Sequence, residues 1–93
     1  MERIKAFHIT LEGKVQGVGF RHFVSQKALE LGLTGWVRNK TDGSVEVETE
    51  GTAAMLSLFM GLLKTGNSRS RIDKVSVTEL PELQHYSSFF IKY

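Results

Sequence analysis

Lys5-Ala6-Phe7-His8-Ile9-Thr10-Leu11-Glu12 alternates apolar with polar side chains, and the alternation stops at Gly13-Lys14-Val15-Gln16-Gly17-Val18-Gly19. Beyond that stretch Phe20, Phe23, Val24, Ala28 and Leu31 recur at the spacing of one helical face. A period of two marks a half-buried strand, with Phe7, Ile9 and Leu11 on one side and His8, Thr10 and Glu12 on the other. The longer period marks a helix, and Gly32 stands where a left-handed residue would end it. The chain therefore opens with a strand, a glycine-rich hinge and a helix.

Working outward, Thr34-Gly35-Trp36-Val37-Arg38-Asn39 reads as a second strand, and Lys40-Thr41-Asp42-Gly43 carries the Asp-Gly pair of a hairpin turn. Ser44 to Glu50 alternates strictly, with Val45, Val47 and Thr49 on one face and Glu46, Glu48 and Glu50 on the other. Three carboxylates cannot be buried unpaired, so this face is expected to meet water. Thr52 is the expected N-cap of a second helix that runs to about Leu63, with Met55, Leu56, Phe59, Leu62 and Leu63 as its apolar stripe. Thr65 to Arg71 is a polar loop, and Val75 and Val77 mark a fourth strand from about Ile72 to Glu79. Leu80-Pro81-Glu82 interrupts, and Ser87 to Tyr93 forms a last strand with Phe89, Ile91 and Tyr93 facing in. This order is α+β: a ferredoxin-like α/β sandwich, βαββαβ with an extra C-terminal strand and two helices on one face of an antiparallel sheet. Strands one and two are separated by a helix and so run the same way. Their C-terminal ends share one edge, which brings the 13–19 loop beside Asn39 to Gly43.

Ninety-three residues make a single domain, 1–93, holding one modest core. Apolar residues at 41% and charged residues at 24% are a globular balance. A net charge of +2 excludes nucleic-acid binding driven by bulk charge. No cysteine is present, which removes disulfides, zinc fingers and thiol nucleophiles and suits the cytosol. No apolar run approaches the ~18 residues of a membrane span, and the opening Met1-Glu2-Arg3-Ile4-Lys5 lacks a signal peptide's apolar stretch. The expectation is a soluble cytoplasmic domain that binds neither membrane nor nucleic acid.

The chemistry is concentrated at Gly13-Lys14-Val15-Gln16-Gly17-Val18-Gly19-Phe20-Arg21. Small residues between a strand and a helix let successive backbone N–H groups converge on an anion, and the helix N-terminus adds to the attraction. Arg21 brings a planar charged fork to the same place. Neither standard nucleotide motif fits. A dinucleotide fingerprint needs glycine where His22 stands, and a Walker A loop from Gly13 needs glycine where Val18 stands. From residue types alone, an anion site and a tight turn whose arginine pairs with a surface carboxylate are both open.

That segment, together with Gly35-Trp36-Val37-Arg38-Asn39-Lys40-Thr41-Asp42-Gly43-Ser44-Val45, closely resembles the two signature segments of the acylphosphatase family, and the resemblance extends over nearly the whole chain. It implies an enzyme that hydrolyses the carboxyl–phosphate bond of small acyl phosphates without metal or cofactor; separately, a monomer is expected. Inorganic phosphate is its product and competitive inhibitor. The position matching the family's phosphate-binding arginine is Arg21, and that matching the water-holding asparagine is Asn39. The matching loop backbone is that of Val15, Gln16, Gly17, Val18, Gly19 and Phe20. One departure stands out: the Thr65–Arg71 loop lacks the Gly-Pro pair common in relatives.

Other residues read more plainly. His8, His22 and His85 show no metal-ligand spacing, and His22 is expected at the surface. Trp36 is expected in the core beneath the helices. Glu46, Glu48 and Glu50 read as a solvated face rather than catalytic acids, and no serine has a His–Asp partner pattern. Lys64, Arg69, Arg71 and Lys74 form a basic cluster at the polar loop. An RNA-binding domain of this topology needs exposed aromatics on its central strands, where this chain has His8, Thr10, Glu46 and Glu48. A non-catalytic anion-binding module on the same fold is the remaining alternative.

Overall fold

The computed structural model describes residues 2–93. Seven elements follow in order: β1 (Ile4–Lys14), α1 (Phe20–Glu30), β2 (Thr34–Asn39), β3 (Val45–Thr52), α2 (Ala53–Thr65), β4 (Arg71–Leu80) and β5 (Phe89–Ile91). The strands form one sheet in the order β4-β1-β3-β2-β5. β1 and β2 are both antiparallel to β3, so they run the same way, as the crossover helix requires. The antiparallel pattern holds for the first four strands, whereas β5 lies parallel to β2 and makes the sheet mixed.

Register fixes which side chains share a face. Ile9, Val47 and Val37 stand in one row across β1, β3 and β2, as do Leu11, Val45 and Asn39. All but Asn39 of these are fully buried, packed with Phe20, Val24 and Ala28 of α1 and Leu56, Phe59 and Leu63 of α2. This is the α+β sandwich with both helices on one face. The hydroxyl of Thr52 accepts the Met55 N–H at 3.3 Å and caps α2 as its sequence position suggested. The apolar stripe of α2 is narrower than expected: Leu62 is 36% exposed and Met55 is half-buried.

Three expectations need correction. The glutamate face is not an open solvated one, because Glu46 and Glu50 are buried, Glu48 is half-buried and each of the three carboxylates has partners. Glu46 takes hydrogen bonds from His8 of β1 at 2.6 Å and from Arg38 of β2 at 2.5 Å. The Tyr86 hydroxyl donates to Glu48, and the backbone N–H groups of Gln84 and His85 donate to Glu50. The irregular segment 81–88 thus straps across the sheet face opposite the helices. Trp36 is buried on that same face, level with Glu48, and not beneath the helices. Its indole N–H donates to the Tyr86 hydroxyl at 3.0 Å. Finally, Tyr93 does not face in. β5 ends at Ile91 and with it the alternation, leaving Tyr93 95% exposed.

Candidate active site

The loop between β1 and α1 is pinned by its apolar members and opened by its glycines. Val15 and Val18 are buried in the core, while Gly17 and Gly19 remain exposed. Gly17 (φ 75°) and Gly19 (φ 73°) adopt the left-handed conformation that side chains disfavour. Gly19 is the N-cap of α1, and no side chain accepts a hydrogen bond there. The first-turn N–H groups of α1 therefore keep their donors and the positive end of the helix dipole for an outside acceptor.

A cavity of about 250 Å³ opens at this point. Val15, Gly17, Gly19 and Phe20 line it from the loop and Arg21 and His22 from the first turn of α1; Asn39 lines it from β2, and Ile91 and Tyr93 from the end of the chain. The two polar side chains singled out in the sequence, 18 positions apart, thus share one wall-to-wall space. Among the described residues no acidic side chain lines the cavity, and none pairs with Arg21. The alternative of an arginine tied to a surface carboxylate therefore has no partner here. The Arg21 guanidinium lies 4.8 Å from the centre of the Tyr93 ring.

Asn39 sits at the open end of the buried Leu11–Val45 row, and its Oδ1 is buried without a hydrogen-bond partner. Buried acceptors are nearly always satisfied, so an orphan one on a residue that lines a cavity marks a place for a donor from outside the chain.

Two amides hold the loop to its surroundings. Gln16 Nε2 donates to the carbonyls of Lys40 (2.7 Å) and Ser44 (2.8 Å), stapling the loop to the hairpin that follows Asn39. In that hairpin Asp42 accepts from the hydroxyl and N–H of Ser44, which hold its carboxyl below the usual range. Asn67 Nδ2 donates to the carbonyl of Val18 at 2.9 Å. Asn67 lies in the loop that lacks the Gly-Pro pair, and nothing local in the sequence marks it, since its partner is 49 positions away. Of the loop residues named from the sequence, Gln16 and Val18 do not line the cavity: one side chain serves the hairpin and the other the core. His22 is exposed at the rim. Among the described residues no three His, Cys, Asp or Glu side chains gather in a metal-ligating group, and no helix is long and apolar enough to cross a membrane.

The acylphosphatase family model matches residues 7–91. This chain belongs to the acylphosphatase family. An acylphosphatase of Bacillus licheniformis is 42% identical over 87 residues, spanning 94% of this chain and 97% of its own length. One from Marinobacter nauticus is 44% identical over 86 residues, spanning 92% and 94%. The crystal structure of acylphosphatase from Bacillus subtilis superposes with a TM-score of 0.93 at 40% identity, covering 98% of this chain and 100% of that one. The ferredoxin-like fold and membership of an acylphosphatase family thus coincide over essentially the whole chain, and the protein is an enzyme of acyl phosphate hydrolysis.

Proposed function

We propose that Arg21 and the backbone amides of Val15 to Phe20 bind the phosphoryl group of an acyl phosphate while Asn39 holds the attacking water. The observation that carries this reading is the meeting, among the described residues, in one cavity without acids, of a helix start with no side-chain cap, an arginine with no carboxylate partner and an orphan amide oxygen. A phosphoryl-transfer transition state needs charge spread over its equatorial oxygens and a nucleophile in line. Arg21 and the loop amides supply the first as a fixed cage. Asn39 supplies the second by accepting one O–H of water at Oδ1, which turns a lone pair of the water oxygen toward phosphorus.

The water oxygen bonds to phosphorus, the phosphorus–oxygen bond to the acyl group breaks, and the carboxylate leaves with the electron pair. An amide cannot take the water's proton at neutral pH, so that proton passes to a phosphate oxygen or to bulk water. The leaving group of a mixed anhydride is good enough that no strong base is required. Arg21 and the amides carry the charge, so the reaction proceeds without a metal or cofactor. The protein acts as a cytoplasmic monomer, and inorganic phosphate, held by the same cage, inhibits competitively. Benzoyl phosphate incubated with the protein in EDTA and followed by absorbance tests the reading. Hydrolysis that survives chelation is expected, and activity restored only by added divalent metal would refute it.

A further inference from the structure

The roles proposed above use the loop, Arg21 and Asn39, and leave one wall of the cavity without a task. That wall is Ile91 and Tyr93, an aliphatic side chain and an aromatic ring, at the mouth of a site whose other residues suit a phosphoryl group and a water. Sequence periodicity placed Tyr93 in the core, yet it is 95% exposed, with the Arg21 guanidinium carbon 4.8 Å from the centre of its ring. Most of a large aromatic surface is thus left in water at the lip of a cavity, open to a ligand.

The geometry points to Tyr93 as the residue that sets acyl-group preference, its ring forming with Ile91 the surface on which the acyl part of the substrate rests. The guanidinium carbon of Arg21 lies over the ring, a contact that consumes none of its N–H donors for phosphate oxygens. Ile91 and the ring together line the cavity, so an incoming acyl group meets an apolar surface beside the phosphoryl position. Flat, apolar acyl groups gain most from such a wall, and small ones gain little. The class favoured is therefore aromatic or extended apolar acyl phosphates over acetyl phosphate. A neighbouring cleft of about 290 Å³ lined by Arg38, Asn39, Lys40, Thr41 and Tyr93 is polar and cationic apart from that ring, and offers an apolar group nothing better.

This inference rests on the phosphate and water positions proposed above, and its test separates the two. Measured kcat/KM for benzoyl phosphate and for acetyl phosphate gives a preference ratio in wild type, Tyr93→Ala and Tyr93→Phe. Any disturbance of Arg21 acts on both substrates alike, because they share the phosphoryl group, so the ratio isolates the acyl contact. In Tyr93→Ala the ratio should fall on the order of fivefold, the scale of one lost aromatic contact, while Tyr93→Phe should keep it. An unchanged ratio in Tyr93→Ala, or an equal fall in Tyr93→Phe, overturns the inference. The phosphate reading fails on a different result: an Arg21→Ala enzyme that inorganic phosphate still inhibits as it does the wild type.

Discussion

Arg21 and Asn39 stand at one cavity for different physical reasons, and their substitutions should separate. In the role proposed for it, Arg21 contributes charge and a two-pronged donor that act on substrate and transition state together. Arg21→Ala should therefore raise KM, weaken phosphate inhibition and lower kcat, with a combined loss of about 3 kcal/mol or a hundredfold in kcat/KM. Arg21→Lys should not restore activity, since a point charge lacks the fork. Asn39, in its proposed role, acts on the nucleophile instead. Asn39→Ala should lower kcat by a similar factor with the inhibition constant of phosphate nearly unchanged; wild-type turnover in that variant would exclude the water-holding role. The topology places strand ends one and two side by side, and the glycines with Arg21 offered an anion site there as one of two open readings; Asn39 was singled out only by the resemblance to the acylphosphatase family. Tyr93 was not legible. Alternation predicts its direction only while the strand continues, and β5 stops two residues earlier.

At the scale of elements, the site depends on how firmly the β1–α1 loop is joined to the β2–β3 hairpin, and Gln16 makes that joint. Its amide gives a second hydrogen bond to two carbonyls on either side of the turn that follows Asn39, each of which also accepts a backbone N–H within the turn. Gln16→Ala should cost about 1–2 kcal/mol in denaturant unfolding, the scale of two lost hydrogen bonds whose acceptors keep their backbone donors. It should also lower kcat several-fold while leaving phosphate inhibition less affected, because the arginine and the loop stay together and only their distance to Asn39 loosens. A loss of stability with kcat unchanged would make Gln16 purely structural. The strands and helices themselves were readable because their periodicities are local. The burial of the glutamate face was not, because its partners come from far along the chain: His8 lies 38 positions from Glu46, and Gln84 lies 34 from Glu50. Burial was ruled out for unpaired carboxylates, and that rule stands. Glu46 finds its partners on the neighbouring strands, whereas those of Glu48 and Glu50 come from an irregular segment, 81–88, with no periodic signal of its own.

Across the whole molecule, Glu46 links three adjacent strands, since His8 lies on β1, Arg38 on β2 and the carboxylate on β3 between them. Burial by itself would raise the pKa of Glu46, but the hydrogen bonds and charge of His8 and Arg38 outweigh it and hold the carboxyl below its ordinary value. Thr10 stands opposite Glu46 on β1 and brings no charge that competes. A group whose folded pKa is depressed binds its proton more weakly in the native state than in the unfolded chain. The stability it contributes is therefore fully present above the unfolded carboxylate pKa and disappears as pH falls through the lower, folded one. Glu46→Gln keeps the shape and removes the charge, so it should cost about 2 kcal/mol at pH 7, the scale of hydrogen bonds to a charged acceptor. Trp36, the one tryptophan in the chain, is buried under Tyr86 on the same face and reports unfolding by its fluorescence. Urea titrations of wild type and Glu46→Gln from pH 7 downward should show two stabilities that converge in the acid range where the wild-type carboxylate takes up its proton. A gap that stays constant down to pH 3 would mean the side chain matters through packing, and that its charge does not tie the sheet together.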